Sequence, residues 1–250
     1  MNKHSPTPDA GAAARAVGVP PAWLELAAGA VVLVFVFAAL HGALAWPLAA
    51  AGLALAVYAA MAGLVWRYWP DATRGLGPAN HVTLLRGSLV AVLAGALAGF
   101  PALVGHAGWL AALALAALAL DGVDGWAARR WRCASDFGAR FDMELDAFLI
   151  LVLCGLLLAL GKAGAWVLAI GAMRYVFVVA MAAWPWLEAP LPERWRRKAV
   201  CVWQVVSLLL CLLPQVGSAL AGGLLGLALV LLGWSFAVDV RWLYRHRLRS

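Results

Sequence analysis

The sequence predicts an all-α polytopic membrane protein, and three observations lead to that fold class. Of its 250 residues, 65% are hydrophobic and only 12% are charged. Several apolar stretches are long enough to cross a hydrocarbon core of about 30 Å. Basic residues and tryptophans gather at the ends of these stretches, as is typical of membrane–water interfaces. This composition argues against a water-soluble domain with a polar exterior.

Eight spans are predicted from the apolar stretches, with both termini on the cytoplasmic side. The spans are residues 22–40, 45–66, 82–104, 107–130, 138–160, 163–187, 198–214 and 217–240. Of the 19 basic residues, 17 fall on one side of this arrangement, which predicts the orientation. Lys162 lies on the other side and Arg174 lies inside a span. Because topology explains the net charge of +7, nucleic-acid binding is not predicted from it.

The chain divides into four predicted regions. Residues 1–19 are small and polar, which predicts a disordered leader. Residues 20–70 form two accessory transmembrane helices, although a cleaved signal peptide is an alternative for the first. After a break rich in proline and glycine, residues 75–240 form a six-helix membrane domain. Residues 241–250 form a basic cytoplasmic tail.

Two of the predicted spans contain aspartates, because their apolar parts are too short without them. Residues 109–120 give only about 18 Å of helix, so the helix must continue through Asp121 and Asp124. The apolar part of the next span begins only at Ala147, so its helix must include Asp142 and Asp146. Spacings of three and four residues place each pair on one helix face, and a short turn makes the helices antiparallel neighbours. Four carboxylates should therefore converge.

A convergent group of aspartates in a membrane requires a cation. Carboxylate oxygens without His or Cys favour a hard divalent ion such as Mg²⁺, Mn²⁺ or Ca²⁺. The alternative is that the aspartates only pair with Arg129, Arg140 or Arg174. Glu144 and Asp136 are predicted to be solvated or interfacial, because Glu144 lies about 200° round the helix from Asp142 and Asp136 lies in the turn.

The complete spacing is D-x-x-D-G-x-x-A-R, eight residues, then G-x-x-x-D-x-x-x-D. It resembles the signature of the CDP-alcohol phosphotransferase (CDP-alcohol phosphatidyltransferase) family at every position. The matching residues are Asp121, Asp124, Gly125, Ala128, Arg129, Gly138, Asp142 and Asp146. The resemblance covers the six core spans and implies the family's six-helix membrane domain, preceded here by the two accessory helices.

The resemblance implies a phospholipid-biosynthetic transferase. Such an enzyme moves a phosphatidyl or other phospho-alcohol group from a CDP-linked donor to an acceptor hydroxyl and releases CMP, using divalent metal. We expect CDP-diacylglycerol as the donor, because a site in the membrane can receive a lipid laterally, and two Mg²⁺ or Mn²⁺ ions. A soluble CDP-alcohol donor with a lipid acceptor is an alternative. An ion-coupled transporter and a non-catalytic membrane scaffold are alternatives of other classes.

Roles for individual residues follow from the same resemblance. Asp121, Asp124 and Asp142 are implied as metal ligands, and Asp146 as a metal ligand and the catalytic base. The implied nucleotide-binding residues are Asn80, Thr83, Gly125, Ala128, Arg129 and Gly138. Asn80 and Thr83 belong to NHVTLLRG, which resembles the N-x-x-T-x-x-R element that opens the family's core; as a bare helix start it would need no function.

The acceptor is predicted less sharply. Arg174 lies about 16 Å into its span, and Arg197 and Lys198 lie at the start of another. We expect these residues to bind an anionic acceptor such as a phosphorylated polyol, with a small alcohol as the other acceptor class; alternatively they balance the aspartates and anchor the topology. Membrane lipids are expected partners and a homodimer is left open. The protein is expected in the cell (inner) membrane, with its active site near the cytoplasmic face.

Overall fold

A computed structural model describes residues 22–69, 78–99, 104–131, 136–192 and 194–246, and these residues contain helices but no strand. The predicted leader, residues 1–19, lies outside the described residues. The helices are α1 (Ala22–Leu44), α2 (Leu48–Tyr68), α3 (Pro78–Ala96), α4 (Ala107–Trp131), α5 (Asp136–Ala159), α6 (Leu168–Ala183), α7 (Trp195–Leu212) and α8 (Ser218–His246).

Each of these helices lies over one of the eight predicted spans. Six of the described helices are long and apolar enough to cross a membrane, all except α5 and α7. Both exceptions carry three or more charged residues near the helix start. The apolar part that remains in each is therefore too short to cross a membrane by itself. The architecture is consistent with a polytopic membrane protein, while crossing by all eight helices stays a prediction. The predicted tail begins inside α8, which continues to His246.

Helix α3 lies at the centre of the helix packing. It contacts α1 and α2 on the accessory side and α4 and α5 on the core side. In the apolar stretch of α3, 72% of the residues are buried inside the protein. The corresponding share is 33% or less in the other described helices that are long and apolar enough to cross a membrane. A helix that is apolar and buried on all sides belongs to the interior of a bundle. A charged residue on α3 must therefore find its partners among neighbouring helices.

Helix α2 packs closely on α3 through small residues. A Cβ atom at Gly95 would collide with the backbone oxygen of Ala50 and the side chain of Ala54. Close approach through small side chains is the usual way in which membrane helices gain contact, because apolar side chains face apolar lipid equally well. Gly95 therefore lets the second accessory helix sit directly on the first core helix.

Helix α1 reaches α2 and α3 through polar contacts. Ser88 Oγ donates a hydrogen bond to the carbonyl oxygen of Gly29 at 3.0 Å. Tyr58 Oη donates one to the carbonyl oxygen of Leu26 at 2.7 Å. These hydroxyl groups find partners that lipid could not supply, so Ser88 ties α1 to α3 and Tyr58 ties α2 to α1.

Candidate functional site

Three of the four predicted aspartates come together between α4 and α5. One carboxylate oxygen from each of Asp121, Asp142 and Asp146 lies within 4.8 Å of the others. Asp121 is on α4, and the other two are one turn apart on one face of α5. All three side chains are between 34% and 45% exposed, so a small ligand can reach them. The predicted convergence is therefore seen for every aspartate of the motif whose side chain is described.

A fully buried arginine of α3 holds these carboxylates. Arg86 Nη1 donates to Oδ1 of Asp121 at 2.8 Å and to Oδ1 of Asp142 at 2.5 Å. Its Nη2 donates to Oδ1 of Asp146. The planar guanidinium suits this task because its donors point in fixed directions to several acceptors at once. Arg86 thereby joins α3, α4 and α5 at one point.

This pairing differs from the one considered in the sequence analysis. There the alternative partners of the aspartates were Arg129, Arg140 and Arg174, and Arg86 was counted only among the 17 basic residues on one side of the predicted arrangement. Arg140 is exposed on α5, and Arg174 pairs elsewhere. The signal for Arg86 was present, because it completes the N-x-x-T-x-x-R element. What the sequence did not show was that α3 would be surrounded on all sides.

The donor set suits a hard divalent ion. It offers carboxylate oxygens only, and no His or Cys belongs to this group among the described residues. Oxygen ligands favour Mg²⁺, Mn²⁺ and Ca²⁺ over zinc or copper. Three carboxylates against one guanidinium leave two negative charges, which one divalent ion would balance. The described residues therefore fit the expected metal.

The predicted nucleotide-binding residues are described in part. Thr83 is buried on α3, one turn before Arg86. Gly138 is in the first turn of α5, ahead of Asp142. The side chains of Asn80, Asp124, Gly125, Ala128 and Arg129 lie outside the described residues. Their backbone positions in α3 and α4 agree with the predicted helices.

An accessory helix contacts the same turn of α3. Nε2 of His81 lies 2.6 Å from Oε1 of Glu25 on α1, and Glu25 is only 5% exposed. His81 stands between Asn80 and Thr83 in the sequence. The first accessory helix is thus linked by a polar side-chain contact to the element expected to bind the nucleotide.

The predicted acceptor-binding residues separate into two places. Nη2 of Arg174 bonds Oε1 of Glu144 on α5 at 2.6 Å. Glu144 lies about 160–200° round the helix from Asp142 and Asp146, so Arg174 is on the other face of α5. Arg197 and Lys198 lie in the first turn of α7, and α7 packs on α4 and α5, the helices that carry the aspartates.

Helix α7 is held in place by an arginine of its own. Arg196 Nη1 donates to the carbonyl oxygen of Ser235 at 2.7 Å and to its Oγ at 2.9 Å. Its Nη2 donates to Asp239, and the guanidinium lies 5.3 Å from the ring centre of Trp234. These partners are all on α8, so the start of α7 is fixed against the last helix.

Comparison with known families gives one finding. The family described as CDP-alcohol phosphatidyltransferase matches residues 77–238. The match begins after α2, so it covers α4 and α5 with their aspartates and leaves the accessory helices outside. No curated protein and no solved structure matches the chain significantly.

Proposed function

Since the chain belongs to the CDP-alcohol phosphatidyltransferase family, a family of phosphotransferases, we propose that it makes a phospholipid from CDP-diacylglycerol and an alcohol acceptor. The observation that carries this proposal is the convergence of Asp121, Asp142 and Asp146 at Arg86. A membrane with α4 and α5 embedded in it would bring a lipid-linked donor to these side chains by lateral diffusion. The site would face the cytoplasm, because the distribution of basic residues predicts that orientation for this end of α4 and α5.

In the proposed reaction the acceptor hydroxyl attacks the phosphorus that carries the diacylglycerol. The new oxygen–phosphorus bond forms as the diphosphate bond breaks, and CMP leaves with the electron pair of that bond. Asp146 accepts the proton of the attacking hydroxyl, a step that contributes about 10²–10⁴-fold in typical enzymes. Asp121, Asp124 and Asp142, with Asp146 beside them, would hold Mg²⁺ or Mn²⁺, which would neutralise the diphosphate and the leaving CMP.

We place the anionic part of the acceptor at the start of α7. Arg197 and Lys198 lie there on a helix that packs on α4 and α5, and Arg196 fixes the helix start against α8. A cationic rim attracts an anionic substrate and raises its local concentration. Arg174 is proposed as a further acceptor-binding residue. Its contribution to acceptor binding should be smaller, because its guanidinium already bonds Glu144. A phosphorylated polyol fits this charge pattern best.

The proposal is tested by measuring CMP release from labelled CDP-diacylglycerol. Purified protein is incubated with Mg²⁺ or Mn²⁺ and a panel of alcohols that includes phosphorylated polyols. Asp146→Asn should lower kcat by about 10²-fold or more, because the base is lost. Glu144→Gln is the matched control, since it removes a carboxylate two residues away on the opposite face of α5 and should retain most activity. Absence of CMP with every acceptor, or full activity of Asp146→Asn, would overturn the proposal.

A further inference from the structure

Arg86 bonds the same three carboxylates that could hold a metal ion. The Oδ1 atoms of Asp121, Asp142 and Asp146 each accept a hydrogen bond from it. These three residues are also the described group whose geometry could hold a metal. One guanidinium and one divalent ion therefore have the same three carboxylates as ligands.

The two cations cannot both take their best position. Two positive charges a few ångströms apart repel strongly where water is scarce. Arg86 is fully buried, so it cannot withdraw into solvent when a metal arrives. It must give up some of its carboxylate bonds and keep its charge nearby. Each bond that it keeps lowers the affinity of the site for metal.

We propose that Arg86 is an internal counter-ion that competes with the divalent metal. In the metal-free protein it holds the carboxylates of α4 and α5 together against their mutual repulsion. Bound metal would be held by the same three carboxylates, and the guanidinium that it displaces would remain close to the diphosphate of the donor. Arg86 thus weakens metal binding in the free enzyme and couples it to the arrival of the anionic substrate. This inference rests on the proposed function, because it takes the aspartates to be metal ligands.

The test is direct measurement of Mn²⁺ binding, without turnover. Free Mn²⁺ is followed by electron paramagnetic resonance in wild type, Arg86→Gln and Arg86→Lys. We expect Arg86→Gln to bind Mn²⁺ at least about tenfold more tightly, since a nearby positive charge is removed. Arg86→Lys keeps the positive charge but loses the planar guanidinium that bonds several carboxylates at once. We expect this variant to bind Mn²⁺ about two- to fivefold more tightly than wild type. Equal or weaker binding by either variant would overturn the proposal.

A matched control separates contact from net charge. Arg140→Gln removes the same charge only two residues from Asp142, yet Arg140 is exposed and lines a cleft with Tyr68 and Glu144 on another face of α5. Its Mn²⁺ affinity should change by less than about twofold, because exposed charges are screened. A tenfold gain in this control as well would show that net charge alone sets affinity, which contradicts competition at the carboxylates.

Thermal unfolding gives the second readout and covers a variant that folds poorly. Mn²⁺ should raise the Tm of Arg86→Gln more than that of wild type, because the variant has lost the counter-ion that the metal replaces. A smaller rise would contradict the inference. The inference and the proposed function fail in different ways. If wild type binds Mn²⁺ but releases no CMP, only the proposed function is contradicted. If the enzyme is active but the Arg86 variants bind Mn²⁺ with unchanged affinity, only the proposed competition between Arg86 and metal is contradicted.

Discussion

Arg86 and Arg174 both lie in apolar helices and pair with carboxylates, yet their surroundings differ. Arg86 on α3 is fully buried and bonds three aspartates from two other helices. Arg174 on α6 is 29% exposed and, among the described residues, bonds Glu144, which is 47% exposed. The Arg86 pairing connects three helices in the interior of the bundle, whereas the Arg174 pairing lies at the edge of the bundle.

The difference teaches that depth along a predicted span does not measure burial. Arg174 was singled out because it lies in the middle of an apolar stretch. Only 17% of the residues in the apolar stretch around Arg174 are buried inside the protein, whereas 72% are buried in the apolar stretch of α3. The neighbours of a helix, and not its own sequence, decide how far a charge is removed from polar surroundings. We therefore expect the loss in free energy of unfolding caused by removing an arginine to increase with the number of helices that surround it.

The largest effect is expected for Arg86→Ala in metal-free buffer. The substitution leaves three neighbouring carboxylates without their guanidinium, and removing one partner of a buried ionic group typically costs about 3–5 kcal/mol. Because the aspartates are about one third exposed, we expect a loss of about 2–3 kcal/mol in the free energy of unfolding. Chemical denaturation in mixed micelles measures it. A loss no larger than that of Arg174→Ala would break the comparison.

Arg196→Ala should give an intermediate loss. Arg196 is 16% exposed and its partner Asp239 13%, so this pair is more buried than Arg174–Glu144 but involves only α8. The loss of its bonds to Ser235 and Asp239 should lower the free energy of unfolding by about 1–2 kcal/mol. Asp239→Asn, which keeps an acceptor for the guanidinium, should lose less in the same assay. A larger loss in the amide variant would show that the bonds of Arg196 are not the cause.

Much of this arrangement was predictable, since helix length and spacing depend on local sequence alone. The eight helices and the shared face of Asp142 and Asp146 follow from periodicity and from the length needed to cross a bilayer. The contact of Asp121 with Asp142 needed only a short turn between α4 and α5. The partnership of Arg86 joins residues 35 or more positions apart, and it depends on how helices pack around α3. The same holds for Glu25 and His81, whose contact required α1 to dock on α3.

The smallest effect on stability is expected for Arg174→Ala. A single ion pair between partly exposed groups contributes about 0.2–1 kcal/mol, so the free energy of unfolding should fall by less than about 1 kcal/mol. Activity provides the sharper test of this residue. If Arg174 helps to bind an anionic acceptor, KM for a phosphorylated polyol should rise about two- to fivefold with kcat nearly unchanged, since uniform binding is lost. Arg197→Ala should raise it further, because Arg197 lies on α7, which packs on α4 and α5. An unchanged KM in Arg174→Ala beside a raised KM in Arg197→Ala would remove Arg174 from the acceptor site and assign it to the margin of the bundle.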